Sequence, residues 1–173
     1  MLGAHSPRIQ LWLVILTPYS WLYWTDWGRE PKIVRTSMDG IESTVLHNTS
    51  LRWPNALTLD YDSQTLYWID GRLDRIETSN VDGSERRVLM NESISRPFAV
   101  SFFQNQLYWS DWTGNMIRAM SLQMPNVVTV VNRFDPLTQD PFGIEVVTAA
   151  RQPQGGIASH PLSGIHVYLL RSV

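Results

Sequence analysis

The chain has 173 residues, of which 14 are Lys or Arg and 16 are Asp or Glu, so its formal net charge is only −2. This balance argues against a nucleic-acid-binding or polybasic membrane-binding protein, because both need a concentrated basic face. Hydrophobic residues make up 43% of the chain, enough for a packed core, and the longest apolar run, residues 11–16, is far too short to cross a bilayer. Cysteine is absent, which carries little weight because a sheet-rich core of this size can fold without disulfides.

The first twenty residues are open to two interpretations. A positive charge at Arg8 followed by the apolar residues 9–16 is the pattern of a short signal peptide. The same apolar residues also fit a buried strand, and the register of the repeat described next favours the strand. We therefore assign residues 1–13 to a divergent N-terminal segment or to the start of an innermost strand.

An aromatic pentad recurs three times along the chain. It reads Leu-Tyr-Trp-Thr-Asp at residues 22–26, Leu-Tyr-Trp-Ile-Asp at 66–70 and Leu-Tyr-Trp-Ser-Asp at 107–111. The copies return after about forty residues, the length of one structural unit in a repeat protein. The shared positions, to which we assign a structural role, are Tyr23, Trp24, Asp26, Tyr67, Trp68, Asp70, Tyr108, Trp109 and Asp111.

Turn signals and prolines divide each repeat into four short strands. Asp-Gly pairs at residues 39–40 and 82–83 follow alternating apolar residues, which is a strong hairpin signal. Pro54, Pro97 and Pro141 each open a further apolar strand, where proline costs no ladder hydrogen bond. Four strands in about forty residues are typical of a β-propeller blade. A β-sandwich or an up-and-down barrel is the less favoured alternative, because neither requires pentads in register with Asp-Gly turns.

The repeat resembles the YWTD repeats of the low-density lipoprotein receptor family, which includes the large receptor-related proteins and the propeller of nidogen. The resemblance rests on Tyr-Trp-Thr-Asp-Trp-Gly at residues 23–28, on the Asp-Gly turns and on Trp-Pro-Asn at residues 53–55. It implies an all-β chain that forms a partial six-bladed β-propeller of YWTD type, with about three to four four-stranded blades.

This resemblance sets the expected domain boundaries. The propeller repeats occupy residues 14–150, with blades at about 14–52, 53–95 and 96–140 and a closing strand at 141–148. We expect residues 151–173 to be a divergent, disordered tail, since they lack the cysteine-rich module that follows a propeller in the large receptors. The chain thus resembles a truncated form with about half a propeller. A half ring leaves blade edges open, so we predict self-association through these edges.

Strand alternation assigns roles within each pentad. Tyr23 and Thr25 lie on one face of the strand and Trp24 and Asp26 on the other, so large aromatics point towards both neighbouring blades. The aspartate ends the strand, where its carboxylate can accept hydrogen bonds from turn amides. Because the blades spread the three aspartates around a ring, we predict neither a metal site nor a cofactor.

The same register separates the two faces of the disc. Loops between the second and third strands of each blade share a face with the links to the next blade, and the Asp-Gly turns lie on the opposite face. The first face is richer in aromatic and charged residues, a composition that suits a protein interface. The candidate ligand-binding residues there are Trp27, Arg29, Glu30, Trp53, Arg72, Arg96 and Trp112. For Trp27 and Trp112, packing between blades is an equally good interpretation.

Two N-glycosylation sequons occur at matching positions of the repeat. Asn48 begins Asn-Thr-Ser and Asn91 begins Asn-Glu-Ser, each in the link to the next blade. We predict that both are exposed and used.

These observations predict an extracellular protein-binding module of a low-density lipoprotein receptor-related receptor, endocytic or signalling, at the cell surface or secreted if truncated. Its partners are extracellular proteins, with no nucleic acid and no direct membrane insertion. We predict no enzyme and no catalytic residue, because no histidine pairs with Ser or Cys as a nucleophile would require. His47 is expected at the surface, able to titrate between about pH 5 and 8. The alternatives are a basement-membrane structural propeller of the nidogen type and a non-functional truncated isoform.

Overall fold

The computed structural model describes residues 12–16, 21–125, 127–135, 140–147 and 164–170. Within these ranges the chain is all-β and consists of antiparallel strands. No helix among them is long and apolar enough to span a membrane. The prediction of a signal peptide or strand over residues 1–20 is tested only at residues 12–16, which form a strand, and its remainder lies outside the described residues.

Twelve of the strands form three four-stranded meanders, each made of consecutive strands. The first blade contains β1 (Trp12–Leu16), β2 (Trp21–Asp26), β3 (Lys32–Ser37) and β4 (Ser43–His47). The second blade contains β5 (Pro54–Asp60), β6 (Thr65–Asp70), β7 (Arg75–Asn80) and β8 (Arg87–Met90). The third blade contains β9 (Pro97–Phe103), β10 (Gln106–Asp111), β11 (Met116–Ser121) and β12 (Val128–Arg133). Each pentad lies on the second strand of its blade, and each proline opens a first strand.

The last two strands, β13 (Asp140–Val147) and β14 (Gly164–Leu170), form a separate antiparallel pair. The sequence predicts a closing strand at residues 141–148, a stretch that overlaps β13. It assigns residues 164–170 to a disordered tail, and for this stretch the prediction is wrong. The stretch alternates β-branched and aromatic residues that favour strands, and the edge of β13 offers it a ladder of hydrogen bonds. The rest of the predicted tail lies outside the described residues.

The three blades stand side by side, as the propeller prediction requires. The innermost strands β1, β5, β9 and β13 follow one another as neighbours, and the buried clusters lie between consecutive blades. Tyr23 of the first blade reaches the second, where its hydroxyl donates to the Val81 carbonyl at 3.1 Å. Tyr67 of the second blade stacks on Phe102 of the third, with ring centroids 5.7 Å apart. Burial of these flat aromatic faces holds the blades together.

The pentads send large side chains to both sides of each blade. Trp68 is fully buried on the side of the second blade that faces the first, while Tyr67 points towards the third. Tyrosine and tryptophan of the pentad therefore point to opposite sides of the second blade, as the predicted alternation requires.

Backbone hydrogen bonds join each link to the neighbouring loop on one face of the disc. The Gly71 amide donates to the Trp53 carbonyl at 2.9 Å, and the Trp112 amide donates to the Arg96 carbonyl at 3.4 Å. The Asp-Gly turns lie at the opposite ends of the strands, with Gly40 and Gly83 at φ of 75° and 89°. This left-handed conformation costs glycine little and explains its use at both turns. The two faces are arranged as the sequence register predicts.

Candidate protein-binding site

The aspartates that end the pentads hold the loops of this face in place. The Asp70 carboxylate is fully buried and accepts four backbone N–H groups, from Arg52, Trp53, Arg72 and Leu73, at 2.7 to 3.1 Å. These donors lie on both the link before β5 and the loop after β6, so one carboxylate fastens two segments together.

The other two pentad aspartates have fewer backbone partners among the residues that the structure describes. Asp111 accepts from the Gly114 amide at 3.0 Å and pairs with Arg118 at 2.9 Å. Asp26 accepts from the Gly28 amide at 2.8 Å. Within the described residues no group of three or more His, Asp or Glu side chains is arranged to hold a metal ion.

Between these loops lies a cleft of about 600 Å³ to which all three blades contribute side chains. Its lining residues are Trp27, Trp53, Asn55, Gly71, Arg72, Asp74, Arg96, Pro97, Phe98 and Trp112. This volume falls within the range of about 300–1,000 Å³ that is usual for ligand clefts.

Aromatic pairs form two opposite walls of the cleft. On one wall Trp27 and Trp53 lie with ring centroids 5.9 Å apart and planes tilted by 58°. On the other wall Phe98 and Trp112 stack at 4.3 Å and 13°. Trp53 is 44% exposed, so this wall presents apolar area directly to solvent.

Gly71 forms part of the cleft because it stands where the other two blades have tryptophan. The residue after the pentad aspartate is Trp27 in the first blade, Gly71 in the second and Trp112 in the third. A Cβ atom at Gly71 would lie 2.2 Å from the Asn55 amide nitrogen and 2.8 Å from the Pro97 carbonyl oxygen. No larger side chain therefore fits there while its neighbours keep their positions.

A second substitution accompanies the glycine. Asn55 follows the strand-opening proline of the second blade, at the position of Phe98 in the third. The Asn55 side chain donates to the Pro97 carbonyl at 3.0 Å, as the Trp112 indole donates to the equivalent Pro141 carbonyl at 3.1 Å. A small polar side chain thus replaces the indole as the donor to this carbonyl, and two aromatic rings are missing from the second blade.

Two arginines supply positive charge at the cleft. The Arg72 guanidinium lies 5.4 Å from the centroid of the Trp53 ring, within cation–π distance. Arg96 is exposed, adopts a φ of 41°, and its amide donates to Asp74 at 2.6 Å. Asp74 therefore orders the loop that carries Arg96.

Five of the seven predicted ligand-binding residues line this cleft, namely Trp27, Trp53, Arg72, Arg96 and Trp112. Arg29 and Glu30 are exposed on the same loop face but do not line it. Sequence reasoning did not name the other five lining residues, which are Asn55, Gly71, Asp74, Pro97 and Phe98. Aligning the repeats would have identified Asn55 and Phe98, because both follow the proline that opens the first strand of a blade.

His47 is not a surface residue, and the prediction that it titrates between pH 5 and 8 is wrong. Its side chain is 7% exposed, stacks on Trp68 at 4.9 Å and lies 3.1 Å from the Ser79 hydroxyl. Burial is the main cause that lowers the pKa of His47 to about 4; the Arg86 guanidinium contributes to the decrease, and the Glu77 carboxylate opposes it. The imidazole is therefore neutral at physiological pH.

Both sequon asparagines lie in exposed links. Ser50 and Ser93, the third residues of the two sequons, have φ of 51° and 56°, so the links share a conformation. Arg86 donates to the Thr49 carbonyl at 2.8 Å, and Arg118 donates to the Ser93 carbonyl at 3.0 Å. Arginines thus hold both links while the asparagines face solvent.

Comparisons with known proteins match this repeat to one family. The family model for the low-density lipoprotein receptor repeat class B matches residues 21–61 and 64–100. The chain is 42% identical over 97 residues to the vitellogenin receptor of Solenopsis invicta, 36% over 116 residues to the vitellogenin receptor Yl of Drosophila melanogaster, and 34% over 115 residues to the low-density lipoprotein receptor-related protein 5-like protein of Homo sapiens. These matches cover 56%, 67% and 66% of this chain but only 5%, 6% and 46% of the relatives, so the chain spans less than half of each relative's length.

Solved structures give the same fold. A chain of the nidogen–laminin complex is 29% identical and superimposes with a TM-score of 0.71, over 80% of this chain and 52% of that chain. A luciferin-regenerating enzyme is 18% identical with a TM-score of 0.64, over 92% of this chain and 60% of that chain. At that identity the second likeness concerns the fold alone.

Proposed function

Because this chain belongs to the family of low-density lipoprotein receptor class B repeat proteins, we propose that it is an extracellular protein-binding module of a receptor, whose ligand docks at the cleft between the three blades. The observation that carries this proposal is the convergence of Trp27, Trp53, Arg72, Arg96 and Trp112 on one concave surface. Tryptophan and arginine are the residues most enriched at the energetic centres of protein interfaces.

The proposal of a binding module rather than an enzyme draws on the same surface. Two of the relatives are named as receptors and the third as a receptor-related protein, and the carboxylates of Asp70 and Asp111 on the loop face are engaged by backbone amides or by arginine. The cleft instead offers exposed apolar area beside positive charge.

A binding survey tests this proposal. The full chain is immobilised and probed with a panel of purified secreted proteins and cell-surface ectodomains. For any ligand found, we expect Trp27→Ala, Arg72→Ala and Trp112→Ala each to weaken binding by roughly tenfold or more. The control variants Arg87→Ala and Val130→Ala change exposed residues outside the cleft and should leave the affinity unchanged. Ligands that bind the cleft variants as tightly as the wild type would remove the proposed site.

A structural role in the extracellular matrix is the second candidate. It is favoured by the likeness, at 29% identity, to a chain of the nidogen–laminin complex. Including laminin in the same panel separates the two candidates. Binding to laminin, with no binding to the soluble secreted proteins, would favour the matrix role over the receptor role.

We also propose that Asn48 and Asn91 carry N-linked glycans and that the links holding them form part of the extracellular surface. Both side chains are exposed, and each sequon lies in a link beside the cleft. Expression through a secretory pathway, followed by enzymatic deglycosylation, should lower the mass by two glycans. Asn48→Gln and Asn91→Gln should each remove one of them, and an unchanged mass on deglycosylation would contradict this proposal.

A further inference from the structure

The cleft is a notch left by a paired substitution in the second blade. In the third blade, Phe98 and Trp112 stack and fill the space beneath the loops. The equivalent pair in the second blade is Asn55 and Gly71, whose small side chains reproduce the hydrogen bond to the Pro97 carbonyl but leave out both rings. Aromatic rings of the first and third blades therefore line this space, while the second blade contributes none at the positions of Asn55 and Gly71. An incoming aromatic or large aliphatic side chain would complete the stack.

The charge around the notch is unlike that of the rest of the chain. The loops and links of this face carry four exposed arginines, balanced in part by exposed Glu30, Glu92 and Asp135. The arginines are Arg29, Arg52, Arg72 and Arg96. The turns of the opposite face carry exposed acids, which are Asp39, Glu42, Asp62, Asp82 and Glu85. A chain of net charge −2 therefore presents positive side chains on its cleft face and negative ones on the other.

The two arginines that line the notch are positioned by different contacts. Arg72 lies over the Trp53 ring, and the backbone of Arg96 is fixed by Asp74. Asp74 is the only carboxylate among the described lining residues, and its Oδ1 atom already accepts the Arg96 amide. Two guanidinium groups beside an apolar notch suit carboxylates that flank an apolar side chain.

We propose that the notch at Gly71 binds an acidic peptide segment of the partner protein, with one aromatic or large aliphatic side chain inserted between the walls and neighbouring carboxylates paired with Arg72 and Arg96. This inference rests on the proposed function and adds the chemical class of the ligand.

Short blocked peptides test the ligand class. The probe is a fluorescein-labelled peptide with the sequence Gly-Asp-Phe-Asp-Gly, titrated with the full chain and followed by fluorescence anisotropy. The matched peptides Gly-Asn-Phe-Asn-Gly and Gly-Asp-Ala-Asp-Gly remove the charge and the ring separately. We expect each change to weaken binding by roughly tenfold, and we expect added salt to weaken only the acidic peptides.

Variants of the chain test the placement. Arg72→Ala and Arg96→Ala should each weaken binding of the acidic probe by roughly tenfold and reduce its salt dependence, with partial recovery in Arg72→Lys. Arg87→Ala removes an exposed arginine outside the cleft and serves as the matched control. Equal binding of the Asn and Asp peptides, or unchanged affinity in both arginine variants, would overturn the proposal.

A notch-filling variant gives an independent test. Asn55→Phe combined with Gly71→Trp recreates the pair of the third blade and should abolish probe binding while near-UV circular dichroism shows a folded protein. The Gly71 amide nitrogen lies 2.9 Å from the Trp53 carbonyl oxygen, whereas the Trp112 amide nitrogen lies 3.4 Å from the Arg96 carbonyl oxygen. The loop after β6 must therefore shift outward from its link in this variant. The single change Asn55→Phe fills the notch while Gly71 is retained. It should also abolish probe binding in a folded protein. Wild-type affinity in a folded notch-filled variant would overturn the proposal.

The acidic-peptide proposal and the proposed receptor function can be tested separately. If no peptide binds but ligands from the protein panel still depend on Trp27 and Trp112, the ligand class is wrong and the receptor function stands. If neither the peptides nor the panel binds in a manner that depends on the cleft, both are wrong.

Discussion

Equivalent residues of the three blades have different surroundings, and the pentad tryptophans show this most directly. Trp68 and Trp109 are both fully buried, each between its own blade and the preceding one. Trp24 is only partly buried, and its indole donates to Thr36 of its own blade at 3.2 Å. The same residue type therefore contributes differently to stability along the chain.

We expect Trp68→Ala to lower the free energy of unfolding by about 3–5 kcal/mol, because it leaves a large cavity between two blades. Trp24→Ala serves as the matched variant and should cost clearly less, since part of its surface already faces solvent. Urea denaturation of both variants measures the difference. Equal losses would show that the two sites are equally enclosed in solution.

His47 makes stability depend on pH. Its folded-state pKa of about 4 lies below its ordinary value of 6.5, so the unfolded chain binds the extra proton first as pH falls. The histidine therefore destabilises the fold progressively from about pH 6.5 down to about pH 4, by up to about 3 kcal/mol. Met90 occupies the equivalent position in the second blade.

The variant His47→Met tests this contribution without changing the rest of the chain. Thermal melts between pH 7 and pH 4 should show a steeper loss of stability in the wild type than in His47→Met. Parallel curves would mean that the imidazole does not titrate differently in the folded and unfolded states.

At the scale of loops and strands, Asp70 joins two segments that no strand ladder connects. Among the described residues, its carboxylate satisfies four backbone amides, whereas Asp26 satisfies one. We expect Asp70→Ala to cost at least about 3 kcal/mol of stability, because buried amides lose their acceptor. Asp26→Ala should cost markedly less. Hydrogen exchange of the Arg52, Trp53 and Leu73 amides would locate the effect, and unchanged protection there would contradict this explanation.

At the scale of the whole molecule, the first blade has an apolar row on the side away from the second blade, in which Val34 is buried and Trp24 is partly buried. Trp24, Val34 and Val45 lie directly opposite one another across its strands, whereas the equivalent row in the second blade is Trp68, Glu77 and Val88. Val45 is 50% exposed. We propose that this face supports the self-association predicted from the sequence.

Sedimentation velocity tests self-association. The wild-type chain should form dimers or larger species that become more abundant with concentration, and Val45→Glu should shift the population towards monomer. Val88→Glu changes the equivalent residue of the second blade, 46% exposed, and should leave the distribution unchanged. A monomeric wild type at all concentrations would contradict the proposal.

The repeated pentads and Asp-Gly turns made the blades, their order and the family predictable, because each feature acts within one blade through local pairing and alternation. The burial of His47 and the notch at Gly71 were not predictable in the same way. Each depends on what the adjacent blade places opposite, such as Trp68 above His47 or the Pro97 carbonyl beside Gly71. The strand β14 was missed because its partner β13 lies many residues earlier and its sequence departs from the pentad.

The consecutive order of strands within each blade has a consequence for synthesis. Since β5 to β8 pair only with one another, a growing chain can complete these ladders soon after about forty residues have emerged, without waiting for distant segments. The aromatic face that the first blade turns towards the second is therefore covered as soon as the second blade has formed. The pairing of β13 with β14 can form only after these ladders, because it requires residues 164–170.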